Sequence, residues 1–229
     1  MARYSELKEK QRALRETFPT SHGLRVHRAL SWLGRAEAAG DDDDVRFILL
    51  WIGFNAAYAD SIREEQLDGR SAFDVFFTAL CRLDAGRRIY GLVWERFSQE
   101  IRVLLNNQYV YSPFWRFHNG DASCANWEQR LQYSRIQAGS AIARQNTPKV
   151  LSIIFDRLYV LRNQLVHGGA TWGSSVNRSQ VRDGARILGH LLPVFIDLMM
   201  DNPDHDWGRP HYPLVDQDAV ARTPVLRGS

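Results

Sequence analysis

Three closely spaced side chains have the types that move protons and grip phosphate. They are Arg162, Asn163 and His167, in the stretch Leu161-Arg162-Asn163-Gln164-Leu165-Val166-His167-Gly168-Gly169. An imidazole exchanges protons near neutral pH. A guanidinium is always charged, and its planar fork matches phosphate oxygens. RNA carries its own nucleophile, the 2′-hydroxyl. A histidine to move the proton and an arginine on the crowded phosphate therefore meet the needs of strand cleavage by transesterification. The products would be a 2′,3′-cyclic phosphate and a 5′-hydroxyl end, formed without activated water or metal. Asn163 would hold the histidine or bond a phosphate oxygen. The competing reading is structural: at a helix end such residues bond free carbonyls and face the negative end of the dipole.

Spacing constrains how this set works. At roughly 100° per helical residue, Asn163 and His167 share a face, whereas Arg162 and His167 diverge by roughly 140°. Within one straight helix the pair does not grip a common atom. His167 lies in the last turn before Gly168 and can swing. Alternatively, two copies meet across a two-fold axis and share the site. Ile153 and Val160, apolar on the motif's side, favour a homodimer.

The elements that position these residues read as helices throughout. Residues 1 to 21 are polar and end in a loop at Pro19-Thr20-Ser21. Helical spacing then runs from His22 to Ala39, with His22 and His27 read as surface residues. Asp41-Asp42-Asp43-Asp44 precedes Phe47 to Tyr58, a segment apolar on nearly every face. Carboxylates there cap a helix start in preference to forming a metal cluster. Gly53, Ala56 and Ala57 allow a close neighbour, and Asn55 is an amide that needs partners. Further helices are expected at Ser71 to Leu83, Arg88 to Leu105 and Trp127 to Ala143. Another runs from Pro148 to His167, capped by Thr147 and closed by a left-handed Gly168. Asn177 and Gln180 are spaced to cap a last helix, Arg178 to Met200, which Pro193 should kink or break.

Residues 106 to 126 break the periodicity. Tyr109, Tyr111, Trp115, Arg116 and His118 interleave aromatic rings with charge, a composition suited to stacking bases of single-stranded RNA. His118 is a further candidate to assist the site itself. The competing reading is that these rings pack over one end of the core.

Composition sets the outer bounds. The 229 residues, 45% hydrophobic and 24% charged, fit a single globular domain spanning residues 1–229. Its helical core covers about residues 24–200, and a Pro-rich extended tail covers 201–229. No apolar run is long enough for a membrane span, and the polar start with Glu6, Lys8, Glu9 and Lys10 lacks signal-peptide character. Cys81 and Cys124 have no metal or disulfide spacing. A cytoplasmic location follows as an expectation. Lysine occurs only at Lys8, Lys10 and Lys149, so arginine supplies nearly all positive charge.

Arg-x4-His with a polar residue after the arginine resembles the signature of the HEPN superfamily. Asn55-x-x-Tyr58 at the end of an apolar helix is similar to a first core helix of some bacterial members. The resemblance implies an all-α, up-and-down antiparallel bundle with an extra N-terminal helix. It further implies a metal-independent endoribonuclease without cofactors, its Arg162/Asn163/His167 motif at an inner dimer surface. A toxin or phage-defence setting, with RNA as substrate and an antitoxin or regulatory protein as partner, comes from the same resemblance. Two rivals remain: a non-cleaving bundle that binds RNA or nucleotide as a regulatory module, and a helical dimer that acts only as a scaffold.

Overall fold

A computed structural model describes residues 4–59, 69–175, 177–210 and 212. The fold is all-α: among the described residues there are ten α-helices and no strand. In chain order they are α1 Tyr4–Leu14, α2 Thr20–Glu37, α3 Asp43–Tyr58, α4 Gly69–Leu83, α5 Arg88–Gly91, α6 Ser98–Asn106, α7 Ser112–His118, α8 Trp127–Ala143, α9 Thr147–Val166 and α10 Arg178–Asp201.

The apolar α3 is central, packed against α2, α10 and α9. A Cβ added at Gly53 would lie 2.9 Å from Leu192 Cδ2 and 3.4 Å from the Ala29 carbonyl oxygen. A side chain at this position would require the Leu192 side chain to shift. The core is aromatic where α3, α4, α9 and α10 meet. Phe155 has its ring centroid 4.4 Å from Phe54, 4.7 Å from Phe77 and 6.2 Å from Phe195. All four rings are fully buried, and truncating one such side chain costs about 3–5 kcal/mol. Phe155 is on the motif helix, so the core fixes the rotation of α9. Among the described residues, no helix is long and apolar enough to cross a membrane.

Several elements depart from expectation. Tyr4–Leu14 is helical although residues 1 to 21 read as polar. Its buried stripe is only Leu7 and Gln11, too narrow to show as a period. The stretch from Arg88 to Leu105 is not one helix. The Phe97 amide bonds Leu92 O at 3.0 Å, one residue beyond the α-helical register, and this wider turn separates α5 from α6. Within the aperiodic residues 106 to 126, Ser112–His118 forms a short helix opened by Pro113. Asn146, not Thr147, caps α9 by accepting from Lys149 N at 3.1 Å, while Thr147 Oγ1 accepts from Trp94 Nε1. Asn177 has left-handed φ and no capping bond. Pro193 does not interrupt α10, which runs helical across it with that proline buried.

Two readings of exposure also change. His22 is 4% exposed, not a surface residue. Val160 is buried and Ile153 packs partly buried against the core. The second apolar side of α9 is thus covered by its own chain, with α8 and α6 packed on the helix. The start of the tail lies on the bundle, with Trp207 buried against Phe76 and its Nε1 bonded to Asn202 O. The rest of the tail, Tyr212 apart, lies outside the described residues.

Candidate functional site

The motif helix ends in a way its sequence dictates. His167 is the C-terminal cap of α9, and Gly168 follows at φ +69°. Gly169 N bonds Gln164 O at 2.7 Å, and Gly168 N bonds Leu165 O at 3.3 Å. Those two bonds and the left-handed glycine make a Schellman motif. His167 is therefore held at a defined point and not on a fraying end. Its side chain is exposed, with no hydrogen bond or ion pair among the described residues.

Asn163 connects the other two motif residues. Its Oδ1 accepts from Arg162 Nη1 at 2.8 Å, and its backbone oxygen accepts from His167 N at 3.0 Å. On the helix, Asn163 falls between Arg162 and His167, so this bond draws the guanidinium toward the histidine's side. The amide orients Arg162, where holding the histidine or a phosphate had been expected. Tyr159, Arg162, Asn163 and Val166 follow helical spacing along one face. Tyr159 is 47% and Val166 52% exposed, so this face is apolar as well as charged and faces solvent. The Arg162 cation lies 5.7 Å from the centre of the Tyr159 ring.

The loop after the motif is tied to the N-terminus of α3. Asp42 accepts from Val45 N as the α3 cap and from Trp172 Nε1 at 3.0 Å. Asp44 accepts from Gly173 N at 3.0 Å and takes both Arg178 nitrogens, at 2.8 and 3.0 Å. The Arg178 fork holds the Asp44 carboxyl below its usual range, helped by the Gly173 amide. Asn177 Nδ2 completes the tether on Gln164 Oε1 at 2.8 Å. The acidic run thus caps its helix, as read, and also clamps a loop about 130 residues away along the chain. Asp44, Gln164 and Arg178 were missed as site-positioning residues because no local signal marks partners so far apart.

The aromatic segment divides in two. Tyr111 and Phe114 are buried with Leu131 in a second small cluster, against which Trp115 and Trp127 pack. The Arg157 cation sits 4.5 Å over the Tyr111 ring, which is not open to a base. Trp115 is half-buried and donates to Tyr109 O at 2.7 Å. The fork of Arg116 is occupied by Asp121, with Nη2 to Oδ2 at 2.6 Å. His118 is exposed, with its ring tilted against Phe114 at a centroid distance of 4.3 Å. Tyr109 is 47% exposed, and its carbonyl also accepts from Gln164 Nε2 at 2.5 Å. Covering a core end accounts for Tyr111 and Trp115, while Tyr109 is presented beside the motif helix.

Comparison of the chain with protein-family models, with curated proteins and with solved structures gives no match.

Proposed function

We propose that this chain is a HEPN-type, up-and-down bundle that dimerises and cleaves RNA by 2′-hydroxyl transesterification, without metal. The observation that carries the reading is the C-terminal end of α9. There an exposed His167 is fixed by a Schellman motif, and Asn163 ties it to an oriented Arg162. In this mechanism His167 takes the 2′-hydroxyl proton and returns one to the leaving 5′-oxygen, either directly or through its counterpart in the second subunit. Arg162 neutralises the phosphate as charge gathers on it. The exposed Tyr159 and Val166 supply a surface on which two such helix ends meet. This pair takes the place of Ile153 and Val160 as the proposed contact. A toxin or phage-defence role in the cytoplasm, restrained by an antitoxin, is the proposed setting.

The test is incubation of total RNA with the protein in the presence of a chelator, followed by sequencing of the new ends. Cyclic-phosphate ends made by the wild type and absent with His167→Ala and Arg162→Ala are expected. Intact RNA, or cleavage indifferent to both substitutions, sinks the reading. The engagement of Asn163 by Arg162 within one chain also suits a non-cleaving RNA-binding module. That alternative predicts bound RNA without product.

A further inference from the structure

A cleft of about 630 Å³ opens where the C-terminal end of α6, the turn after it, α8 and the first turn of α10 come together. That volume is in the range of small-molecule sites, but the groove is wide open to solvent. Its lining has three kinds of chemistry. Arg102 and Arg135 give positive charge, and neither pairs with a carboxylate among the described residues. Arg135 is braced by its bond from Nη2 to Asn106 O at 2.7 Å. Tyr109 contributes an exposed ring.

The third kind is a group of side-chain amides with unused valences. Asn106 donates Nδ2 to Arg102 O, which leaves its Oδ1 as an acceptor. Asn107 accepts from Tyr109 N through Oδ1, which leaves two donors on Nδ2. Gln180 accepts from Ser179 Oγ, which likewise leaves its Nε2 donors. Free donors and an acceptor beside an aromatic ring match the edge and face of a nucleobase, and the unpaired guanidinium groups match its phosphate. A site for a bare anion would need the charge but not the ring or the amides.

We infer that this cleft is a nucleotide-binding subsite. Arg102 and Arg135 hold the phosphate, Tyr109 stacks the base, and the Asn106, Asn107 and Gln180 amides meet its edge. The carbonyl of Tyr109 is bonded to Gln164, so the subsite and the motif are joined through one residue of α9. Its position relative to the chemistry rests on the proposed ribonuclease reading; its binding does not. The same chemistry is offered by a free mononucleotide and by one residue of a single strand.

The experiment is calorimetric titration of the full chain with a 2′-O-methyl RNA octamer, which lacks the nucleophile and cannot be cut. Arg102→Glu and Gln180→Ala are compared with Arg12→Glu, an equal charge change at an exposed position on α1. Arg102→Glu is expected to weaken binding about ten-fold with a shallower salt dependence, and Gln180→Ala about three-fold. Arg12→Glu should bind like wild type. Displacement of the octamer by AMP, GMP, CMP or UMP would assign the site to free nucleotides, and no displacement would assign it to a strand. Absence of octamer binding by the wild type overturns the inference, as does equal weakening by Arg102→Glu and Arg12→Glu. A chain that binds through this cleft but never cuts RNA would refute the ribonuclease reading alone.

Discussion

His22 and His167 carry the same ring in opposite surroundings, and different measurements report on them. His22 is buried at the start of α2, edge-on to Phe18 at 4.9 Å, and neither ring nitrogen has a hydrogen-bond partner among the described residues. Burial, with the nearby Arg25 cation adding to it, pushes its pKa from 6.5 down to about 4. Between those two values the unfolded chain binds a proton that the folded chain refuses. His22 therefore leaves stability intact above pH 6.5 and removes it as pH falls toward 4, by roughly 2–3 kcal/mol in all. Denaturant midpoints measured from pH 7 to pH 4 should fall less steeply in His22→Leu, and an unchanged slope would rule His22 out. His167, exposed and unpaired, should be replaceable without loss of stability. His167→Ala is expected to keep its melting temperature and lose about 10²–10⁴-fold in RNA cleavage. The motif was legible because its residues lie within one and a half turns of each other. The environment of His22 was not, since its burial depends on how α2 seats against its neighbours.

At the scale of elements, the end of α9 combines a local device with a distant one. Gly168 could be read from its neighbours, because a left-handed residue closing a helix is a local requirement. The Asp42 and Asp44 clamp could not, because its partners Trp172, Gly173 and Arg178 come together only in the folded bundle. Gly168→Ala forces φ +69° on a residue with a Cβ and should cost about 1 kcal/mol. Asp44→Asn leaves the Arg178 cation without its counter-charge and should expose residues 170–175 to limited proteolysis. Both variants are expected to cut RNA more slowly while retaining the helical circular-dichroism spectrum. Full cleavage by both would show that the site works without its brace. Most helix positions were legible in the sequence. The exceptions are the narrow-faced α1, the wide turn before α6 and the short α7, where one stripe, one inserted residue or a seven-residue length hides the period.

On the scale of the whole molecule, α9 covers its second apolar side with its own chain, so the proposed dimer is expected to use the exposed face of Tyr159 and Val166. Val166→Asp should remain folded and sediment as a monomer without cleavage activity. Mixing inactive Arg162→Ala with inactive His167→Ala should restore about a quarter of wild-type cleavage, since half of random dimers carry one complete shared site. No recovery on mixing would place the whole site in one subunit. The bundle is also closed by its ends: Lys10 of α1 meets Asp197 and Asp201 of α10, each at 2.5 Å. Helix α10 in addition supplies the central layer against α3. A nascent chain with residues 162–167 already outside the ribosome still lacks α10, and so lacks the layer that seats α9. The motif is translated before the core that positions it can close, so its geometry waits until α10 has been made.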